Sequence, residues 1–479
     1  MDLTQRLNSS YSSLLKSGFH PEKVNEGTIP RGDKITGGLT GMRIRFIGAG
    51  AGGRSASGRI RQMEKQAQID VFSTQDEIGY APCEPPFVLR GVARWEDIFY
   101  SGNFFEERNI NVHLSTEVTD ILKKEKRIVA GGQSYSYDKL LLSPGAIPSV
   151  PPIAGLDGKN EFTFSTNIAD GKALGKIIPK YTSAAVIGAG AIGIELTMAL
   201  VARGYDNVYL LDMMENILPA SLDQDMAGEV EKAMQQKGIE LLLPARIRSI
   251  KSDSGRKRVT LTDRELVVDF VLLTTGAKPN VELAQKGGIE IGETGGVLVN
   301  QYLQTSDPDI YAAGDCLENW DMITGSKTRR LMVTTASKTG DVAAINMISG
   351  NSNPYEGTLM TFVIEIFGHQ IGTVGFTERL AREKGLDAVS VTVSRPTLRP
   401  HLGGKTLHYK LIANRRAGTL IGAQVISEEV IRGTLNQLAL AIAEKIPLQR
   451  LASLDTPYSP AVGRDPIKDG VKKLIRKLD

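Results

Sequence analysis

Short apolar runs that stop at a glycine recur along this chain of 479 residues, and a helical pattern follows each of them. Buried parallel strands read as short apolar runs, and helices connect them, so this order is typical of α/β folds. Two such units are predicted, 140 residues apart. Their strand, helix and second strand cover residues 44–47, 54–66 and 69–72 in the first unit, and 184–187, 196–202 and 208–211 in the second.

The pattern changes from about Pro354. Apolar runs at residues 363–367, 391–393 and 407–412 predict an antiparallel sheet, and residues 430–444 predict a helix that packs on it. We therefore expect a C-terminal α+β domain suited to packing against another subunit. The predicted organisation is an extension at residues 1–41, a first dinucleotide-binding domain at 42–150 and 279–353, a second at 151–278, and the C-terminal domain at 354–479.

Both α/β units carry a complete Gly-x-Gly-x-x-Gly fingerprint between the strand and the helix. The fingerprint consists of Gly48, Gly50 and Gly53 in the first unit and of Gly188, Gly190 and Gly193 in the second. Its glycines let the backbone approach a pyrophosphate, and the helix N-terminus offers unpaired N–H donors and a partial positive charge. One fingerprint is a weak signal, but two in the same structural context predict two dinucleotide sites in Rossmann-like domains.

A carboxylate at the end of the second strand of such a unit binds the ribose hydroxyls. The second unit has Asp212 at this position, nineteen residues after Gly193. This carboxylate would repel a 2′-phosphate and no arginine follows it, so we expect NAD(H) rather than NADP(H). The first unit has Ser73 instead, so the ribose contact is either weaker or made by Asp76 or Glu77.

Three later strands end at residues that a bound nucleotide would approach. The strands at residues 137–142 and 270–274 run into turns at Gly145 and Gly276, where the absence of a side chain allows close contact with a ligand. The strand at residues 309–313 ends at Gly314 and Asp315, which places a carboxylate directly after a buried segment. We expect Gly145 and Asp315 to converge on the first nucleotide site. Further strands are predicted at residues 112–118 and 127–129.

The composition narrows the class of protein. Hydrophobic residues make up 41% and charged residues 23%, as in ordinary globular domains, and a net charge of +3 with scattered basic residues argues against nucleic acid. No apolar run is as long as a membrane span, and the N-terminus lacks the apolar core of a signal peptide. With only Cys83 and Cys316 there is no disulfide framework, so we expect a cytoplasmic protein. No metal site is predicted. Cys83 follows the first unit, where a thiol can lie against the ring of a bound dinucleotide.

With these motifs, the chain resembles the pyridine nucleotide-disulfide oxidoreductases. Within that family it is similar to the single-cysteine group of coenzyme A-disulfide reductases, NADH oxidases and NAD(P)H sulfur reductases. The resemblance covers roughly residues 42–470. Its motifs, in family order, are residues 48–53, Cys83, residues 137–148, residues 188–195, residues 275–276, residues 311–315 and residues 455–466.

The resemblance implies FAD and NAD(H) as cofactors, and a homodimer. It places Cys83 against the flavin on the side opposite the nicotinamide, and Tyr458 in the active site of the other subunit, with His401 as a second proton donor. The residues expected to bind FAD are Gly48, Gly50, Gly53, Ser73, Val118, Gly145, Gly314 and Asp315. Those expected to bind NAD(H) are Gly188, Gly190, Gly193, Glu195, Asp212 and Gly276.

The departures from the family pattern narrow the chemistry. The position five after Cys83 is Val88, so the thiol has no cysteine partner nearby and must work through a mixed disulfide, a persulfide or a sulfenate. Ala51 stands where water-forming oxidases and peroxidases have a histidine, which argues against dioxygen or peroxide as the dedicated substrate. Pro82 and Gly79 replace the usual Asn and Ser of coenzyme A-disulfide reductases, which argues against coenzyme A disulfide itself.

We therefore expect an enzyme that passes hydride from NADH through FAD to a disulfide, persulfide or polysulfide at Cys83. Two other interpretations remain open. One is a flavoprotein that passes electrons to a protein redox partner or to another acceptor, as in an NADH oxidase, without needing Cys83. The other is a dinucleotide-binding sensor with no turnover. The sequence alone does not identify the acceptor.

Overall fold

The computed structural model describes residues 41–100, 102–165, 167–461, 463 and 465–478. The predicted extension at residues 1–41 therefore lies outside the described residues, except for Gly41. Among the described residues, no helix has both the length and the apolar character needed to cross a lipid bilayer.

The first fingerprint lies at the centre of a five-stranded parallel sheet, which we call the first sheet. The strand Arg43–Ile47 precedes the fingerprint and pairs with Gln68–Phe72 on one side and Lys139–Leu142 on the other. The outer strands are Asn111–His113 and Ile310–Ala312, so an edge strand comes from a distant part of the sequence. The fingerprint helix Ala51–Met63 packs against the helix Val333–Ser349, and a Cβ at Gly340 would lie 2.3 Å from the carbonyl oxygen of Gly52.

The second fingerprint occupies the same position in a second parallel sheet, which we call the second sheet. Its central strand Ser183–Ile187 pairs with Asn207–Leu211 and Phe270–Leu273, as the counterparts do in the first sheet. The outer strands are Ile239–Leu242 and Glu161–Thr163. The helices around this sheet are Ile168–Ile177, Ala191–Ala202 and Gln224–Gln236. The two sheets confirm the predicted pair of Rossmann-like units.

Smaller strands connect and cover the two parallel sheets. Each sheet has a three-stranded antiparallel meander, and a short ladder of Ala146–Pro148 with Ala277–Pro279 joins the segments that leave them. The meander strands are Val118–Leu122, Arg127–Ala130 and Gln133–Ser136 for the first, and Ile247–Asp253, Arg256–Leu261 and Glu265–Val268 for the second. A further hairpin pairs Asn319–Trp320 with Lys327–Thr328, and Glu282–Lys286 is a short helix.

The C-terminal part forms a five-stranded antiparallel sheet, which we call the interface sheet. Ile364, Ile366, Ile371 and Ile426 of this sheet share one apolar core with the second sheet, so the two bodies are packed together. The strands in spatial order are Phe362–Ile366, His369–Gly375, Thr419–Ser427, Thr406–Asn414 and Ala388–Pro396. The helices are Glu378–Glu383, Arg432–Ala443, Leu448–Ser453 and Lys468–Leu478. The α+β character predicted for this region is confirmed.

Two local predictions were wrong. Residues 112–118 do not form one strand, because Ser115 has a φ of +47° and the N–H of Thr116 donates to the carbonyl oxygen of Ser73 at 2.8 Å. The strand therefore ends at His113, and a new one begins at Val118. The first helix begins at Ala51, inside the fingerprint, because the N–H of Arg54 already bonds the carbonyl oxygen of Gly50 at 2.8 Å.

Candidate active site

The glycines of the first fingerprint allow three chain segments to meet. Gly48 has a φ of +106°, and a Cβ there would lie 2.0 Å from the carbonyl oxygen of Ser143. A Cβ at Gly53 would lie 2.1 Å from the carbonyl oxygen of Gly48. These two positions therefore need glycine for the protein's own packing. Gly50 is different, because a Cβ there would meet no described protein atom within 4 Å.

The second fingerprint repeats this geometry. Gly188 has a φ of +112°, and its added Cβ would lie 2.3 Å from the carbonyl oxygen of Thr274. At Gly193 the added Cβ would lie 1.9 Å from the carbonyl oxygen of Gly188. Gly190 again faces open space. Two stretches of sequence 140 residues apart therefore form the same backbone arrangement.

Open glycine positions and free helix ends form a cradle above each fingerprint. Like Gly50 and Gly190, the turn residues Gly145 and Gly276 would place a Cβ in open space. Neither fingerprint helix has a side-chain cap on its N-terminus among the described residues, so its first N–H groups face the cradle. Unpaired N–H donors and room for close backbone approach fit the pyrophosphate of a dinucleotide.

Asp315 supplies an acceptor beside the first cradle. It follows the strand Ile310–Ala312, and burial raises its pKa to about 6, although the N–H of Met332 donates to the carboxylate. Its Oδ1 is buried and has no hydrogen-bond partner among the described residues. A buried carboxylate oxygen without a donor is unfavourable, so this atom fits a ligand hydroxyl such as those of the FAD chain.

Asp212 lies at the corresponding edge of the second sheet and is held by the backbone. Its Oδ2 accepts from the N–H of Ala189 at 2.7 Å, and its Oδ1 accepts from the N–H of Met214 at 2.9 Å. A carboxylate has about four acceptor positions, so both oxygens keep capacity for ribose hydroxyls. Met213, the next residue, is 78% exposed and leaves the approach open.

The first sheet has no carboxylate at the position of Asp212. Ser73 is buried, and its Oγ accepts from the N–H of Gln75 at 3.2 Å. Glu77, one of the two substitutes considered for the ribose contact, forms an ion pair with Lys172. Val118 is buried at the start of a meander strand.

Cys83 and Glu195 line one cavity of about 270 Å³. Cys83 precedes the helix Pro85–Arg90, which we call the cysteine helix, and Glu195 lies on the second fingerprint helix. The third wall comes from the first strand of the interface sheet, through Val363 and Ile364. The cavity therefore brings the cysteine, the second nucleotide-binding unit and the C-terminal part together.

The electrostatics of this cavity favour the protonated thiol. Cys83 reaches solvent through the cavity, but the protein around it raises its pKa to about 11, and the carboxylates of Glu195, Asp315 and Glu84 add to this effect. Burial also raises the pKa of Glu195, to about 7. Burial removes water from both groups, which disfavours the thiolate of Cys83 and the carboxylate of Glu195. The acidic neighbours also repel a thiolate.

A model of the family described as pyridine nucleotide-disulphide oxidoreductase matches residues 42–369, and the model of that family's dimerisation domain matches residues 364–466. The chain belongs to the pyridine nucleotide-disulphide oxidoreductase family. It is therefore an oxidoreductase whose cofactors are FAD and NAD(H).

Three members of this family illustrate the similarity. The NADH oxidase of Methanocaldococcus jannaschii is 35% identical over 453 residues, which cover 91% of this chain and 100% of that protein. The CoA-dependent NAD(P)H sulfur oxidoreductase of Pyrococcus furiosus is 30% identical and covers 91% of this chain and 99% of its own length. The structure of an NAD-dependent persulfide reductase from A. fulgidus is 31% identical, with a TM-score of 0.86, covering 91% of this chain and 83% of that one.

Arg203 fixes the cysteine helix, a role that the sequence analysis did not predict. Its Nε donates to the carbonyl oxygen of Leu89 at 2.7 Å, and its NH2 group donates to that of Val88 at 3.2 Å. Arg203 ends the second fingerprint helix, so it ties the C-terminal end of the cysteine helix to the second nucleotide-binding unit. A guanidinium at the carbonyl groups of a helix C-terminus is favourable, and here it adds a second donor to the carbonyl oxygen of Val88, which also accepts from the N–H of Gly91 at 2.9 Å.

Tyr458 and His401 lie apart from the cavity within one chain. Both are exposed, Tyr458 to 61%, and neither is among the described residues that line the cavity of Cys83. Cys316 is buried, and its Sγ lies 3.3 Å from the carbonyl oxygen of Ala313. The structure therefore brings Cys83 and Glu195 together in one cavity, and leaves the two predicted proton donors elsewhere on the chain.

Proposed function

We propose that this protein reduces a persulfide, polysulfide or disulfide substrate with electrons from NADH, through Cys83. In this proposal Ser73, Val118, Gly145, Gly314, Asp315 and the first fingerprint hold FAD, while Gly276, Glu195, Asp212 and the second fingerprint hold NAD(H). The observation that carries it is the shared cavity of Cys83 and Glu195, because it places a thiol beside the second nucleotide-binding unit. The relatives named sulfur oxidoreductase and persulfide reductase support the same reaction class.

Bound FAD supplies a hydride acceptor for NADH and an electron-poor ring that stabilises a thiolate. The chain's own part is the sulfur chemistry. The sulfur of Cys83, as thiolate, attacks one sulfur of the substrate, so a new S–S bond forms and the substrate's S–S bond breaks. The leaving sulfur takes the electron pair of that bond and one proton. Two electrons that originate from NADH then cleave the new S–S bond, which restores the thiolate of Cys83 and releases the attached sulfur as a second thiol or sulfide that takes up a proton.

Replacing Cys83 by serine tests this proposal. Serine is close in size but is essentially not ionised near pH 7, so the nucleophile disappears. We expect Cys83→Ser to keep FAD and rapid reduction by NADH, and to lose sulfur turnover by several orders of magnitude. Stopped-flow absorbance measures the reduction, and an acceptor panel of polysulfide, coenzyme A persulfide, coenzyme A disulfide, dioxygen and a redox dye measures turnover.

Cys316→Ser is the matched control, because it removes the other thiol from a buried position outside the cavity. It should leave every turnover rate unchanged. If Cys83→Ser had the same turnover rate as the original protein with every acceptor that the original protein reduces, the proposed sulfur reaction would be contradicted. The protein would then transfer electrons from NADH to another acceptor, such as dioxygen or a redox partner protein.

We further propose that two chains form a homodimer that shares its active sites. The match of the dimerisation-domain model to residues 364–466 and the exposed position of Tyr458 support this. In the dimer, Tyr458 of one chain would donate the proton to the leaving sulfur at Cys83 of the other. His401 is a second candidate donor.

Mixing two inactive variants tests the shared site. Cys83→Ser subunits combined with Tyr458→Phe subunits should regain sulfur turnover, because a heterodimer contains one site with both native residues. The measurement is turnover after subunit exchange, with exchange followed by a mass tag on one parent. No recovery in proven heterodimers of two inactive parents would show that each site is complete within one chain.

A further inference from the structure

A lysine is buried in the interface sheet, on the strand face opposite the apolar Leu407, Tyr409 and Leu411. Lys410 lies on the strand Thr406–Asn414, and its side chain is only 5% exposed. Its Nζ lies 2.9 Å from Asp225 Oδ1, 2.9 Å from Glu378 Oε2 and 3.2 Å from Asp223 Oδ2. A buried cation is stable only with such partners, and here one cation faces three carboxylates.

The three carboxylates come from two different bodies. Asp223 and Asp225 belong to the start of the helix Gln224–Gln236 beside the second sheet, whereas Glu378 begins a helix of the C-terminal part. Asp223 bridges further to the C-terminal part, because its carboxylate accepts the N–H of Glu378 at 2.9 Å and of Arg379 at 3.2 Å. We call Lys410, Asp223, Asp225 and Glu378 the interdomain cluster.

The cluster anchors the end of the segment that follows Asp212. Within that segment, the N–H of Leu218 donates to the carbonyl oxygen of Ala189, at 2.8 Å, inside the second fingerprint. The carbonyl oxygen of Pro219 accepts from the guanidinium of Arg379 at 3.0 Å. Residues 212–223 are therefore fixed at one end by the fingerprint and at the other by the C-terminal part.

We propose that Lys410 and Arg379 are positioning residues for the dinucleotide at the second fingerprint. The inference rests on the proposed function, in which that fingerprint binds NAD(H). Without Lys410, Asp223 and Asp225 lose their cation, whereas Glu378 keeps its ion pair with Arg382. Asp223 is then held only by its neutral donors, which include the amide of Gln424, and the repulsion between the carboxylates weakens its hold on the C-terminal part. Residues 213–222, which follow Asp212 and bond to Ala189 of the fingerprint through Leu218, then lose part of their order, and ordering them on binding weakens affinity.

The effect should appear in binding and not in the chemical step. Neither Lys410 nor Arg379 lines the cavity of Cys83 and Glu195 among its described lining residues. We expect the two cradles, and not the interdomain cluster, to set the distance between the reacting groups once the dinucleotide is bound. A change at Lys410 should therefore raise the Kd for NAD⁺ and the KM for NADH, and leave the limiting rate of flavin reduction unchanged.

The experiment compares Lys410→Met, Lys410→Arg and Arg379→Gln in the FAD-loaded full chain. Calorimetry measures the Kd for NAD⁺, which needs no turnover, and stopped-flow absorbance measures the limiting reduction rate. We expect about a tenfold higher Kd for Lys410→Met, the usual scale of such coupling, and a smaller rise for Arg379→Gln. Lys410→Arg keeps the charge and should restore most of the affinity.

Lys405→Met is the matched control. Lys405 precedes the same strand but is 52% exposed and pairs with Glu428 alone, so its loss should leave the Kd unchanged. Arg379→Gln keeps every carboxylate of the cluster paired, so it decides the matter even if Lys410→Met fails to fold. An unchanged Kd in Arg379→Gln and in any folded Lys410→Met would overturn the inference. Absence of NAD⁺ binding in the unmodified protein would instead overturn the proposed function on which it rests.

Discussion

The two nucleotide cradles are alike in their backbone and different in their carboxylates. In each, the first glycine has a positive φ and packs on the residue that directly follows the neighbouring strand, which is Ser143 in one and Thr274 in the other. The N–H of Gly48 donates to the carbonyl oxygen of Phe72 at 2.8 Å, and that of Gly188 donates to Leu211 at 2.7 Å. Packing of the protein on itself therefore fixes this arrangement before any nucleotide binds.

The carboxylates reach the cradles by different routes. Asp212 is local to its fingerprint and is held by the N–H groups of Ala189 and Met214. Asp315 comes from an edge strand far along the sequence, and its Oδ1 has no partner among the described residues. We expect the glycines to make room for a dinucleotide and the carboxylates to select which dinucleotide fits. The carboxylate of Asp212 is already held by the backbone, whereas Oδ1 of Asp315 keeps its acceptor positions for a ligand.

The largest expected effects come from alanine at the first glycine of each fingerprint, and they should differ between the two cradles. Gly48→Ala puts a Cβ 2.0 Å from Ser143 at a φ of +106°, which should abolish FAD binding and lower the free energy of unfolding by more than about 3 kcal/mol. Gly188→Ala makes the equivalent change in the second cradle. It should leave the protein yellow but unable to bind NAD⁺. Flavin absorbance after purification and calorimetry with NAD⁺ measure the two outcomes.

Gly228→Ala is the control for these glycine variants. Gly228 lies inside the helix Gln224–Gln236, and a Cβ there meets no described atom within 4 Å, so alanine should be neutral or slightly stabilising. Loss of FAD from Gly188→Ala would show that the two cradles do not fold independently. The expectation that each glycine affects only its own nucleotide would then be wrong.

A smaller effect is expected at Asp212. Asp212→Ala removes the acceptor for the ribose hydroxyls, so NADH binding should weaken by about 1–3 kcal/mol, or roughly 5- to 150-fold in Kd. FAD content should not change, because the first cradle does not contact this residue. The unmodified protein should prefer NADH to NADPH, and the variant should lose most of that preference because nothing repels the 2′-phosphate. Equal use of both nucleotides by the unmodified protein would contradict the placement of Asp212 on the ribose.

The sequence predicted what local patterns specify. The glycine fingerprints, the turns at Gly145 and Gly276 and the carboxylate of Asp212 follow from short segments with known backbone demands. The site roles assigned to them remain predictions. The sequence did not predict the capping of the cysteine helix by Arg203 or the burial of Lys410, because the carbonyl groups that Arg203 binds and the aspartates that pair with Lys410 lie more than 100 residues away. It also missed the break at Ser115, since the alternation of apolar residues does not report a positive φ.

The smallest expected effect concerns the thiol between the cradles. Burial is the largest cause of the raised pKa of Cys83, which is about 11. The carboxylates of Glu195, Asp315 and Glu84 raise it further, in that order. Glu195, on the second fingerprint helix, should therefore oppose the thiolate more than Asp315 beside the first cradle does. Neutralising a nearby carboxylate removes this repulsion, so the pKa should fall, by less than about one unit in each variant.

Alkylation of FAD-free protein by iodoacetamide measures this difference, because only the thiolate reacts. In the unmodified protein the rate should keep rising with pH towards about 11, the raised pKa of Cys83. Glu195→Gln should move the profile to lower pH, and Asp315→Asn should move it less. Cys83→Ser corrects for any reaction at the buried Cys316, and circular dichroism confirms that each variant is folded. A larger shift with Asp315→Asn would show that Asp315, beside the first cradle, raises the pKa of Cys83 more than Glu195 does. The expected order of the two carboxylates would then be wrong.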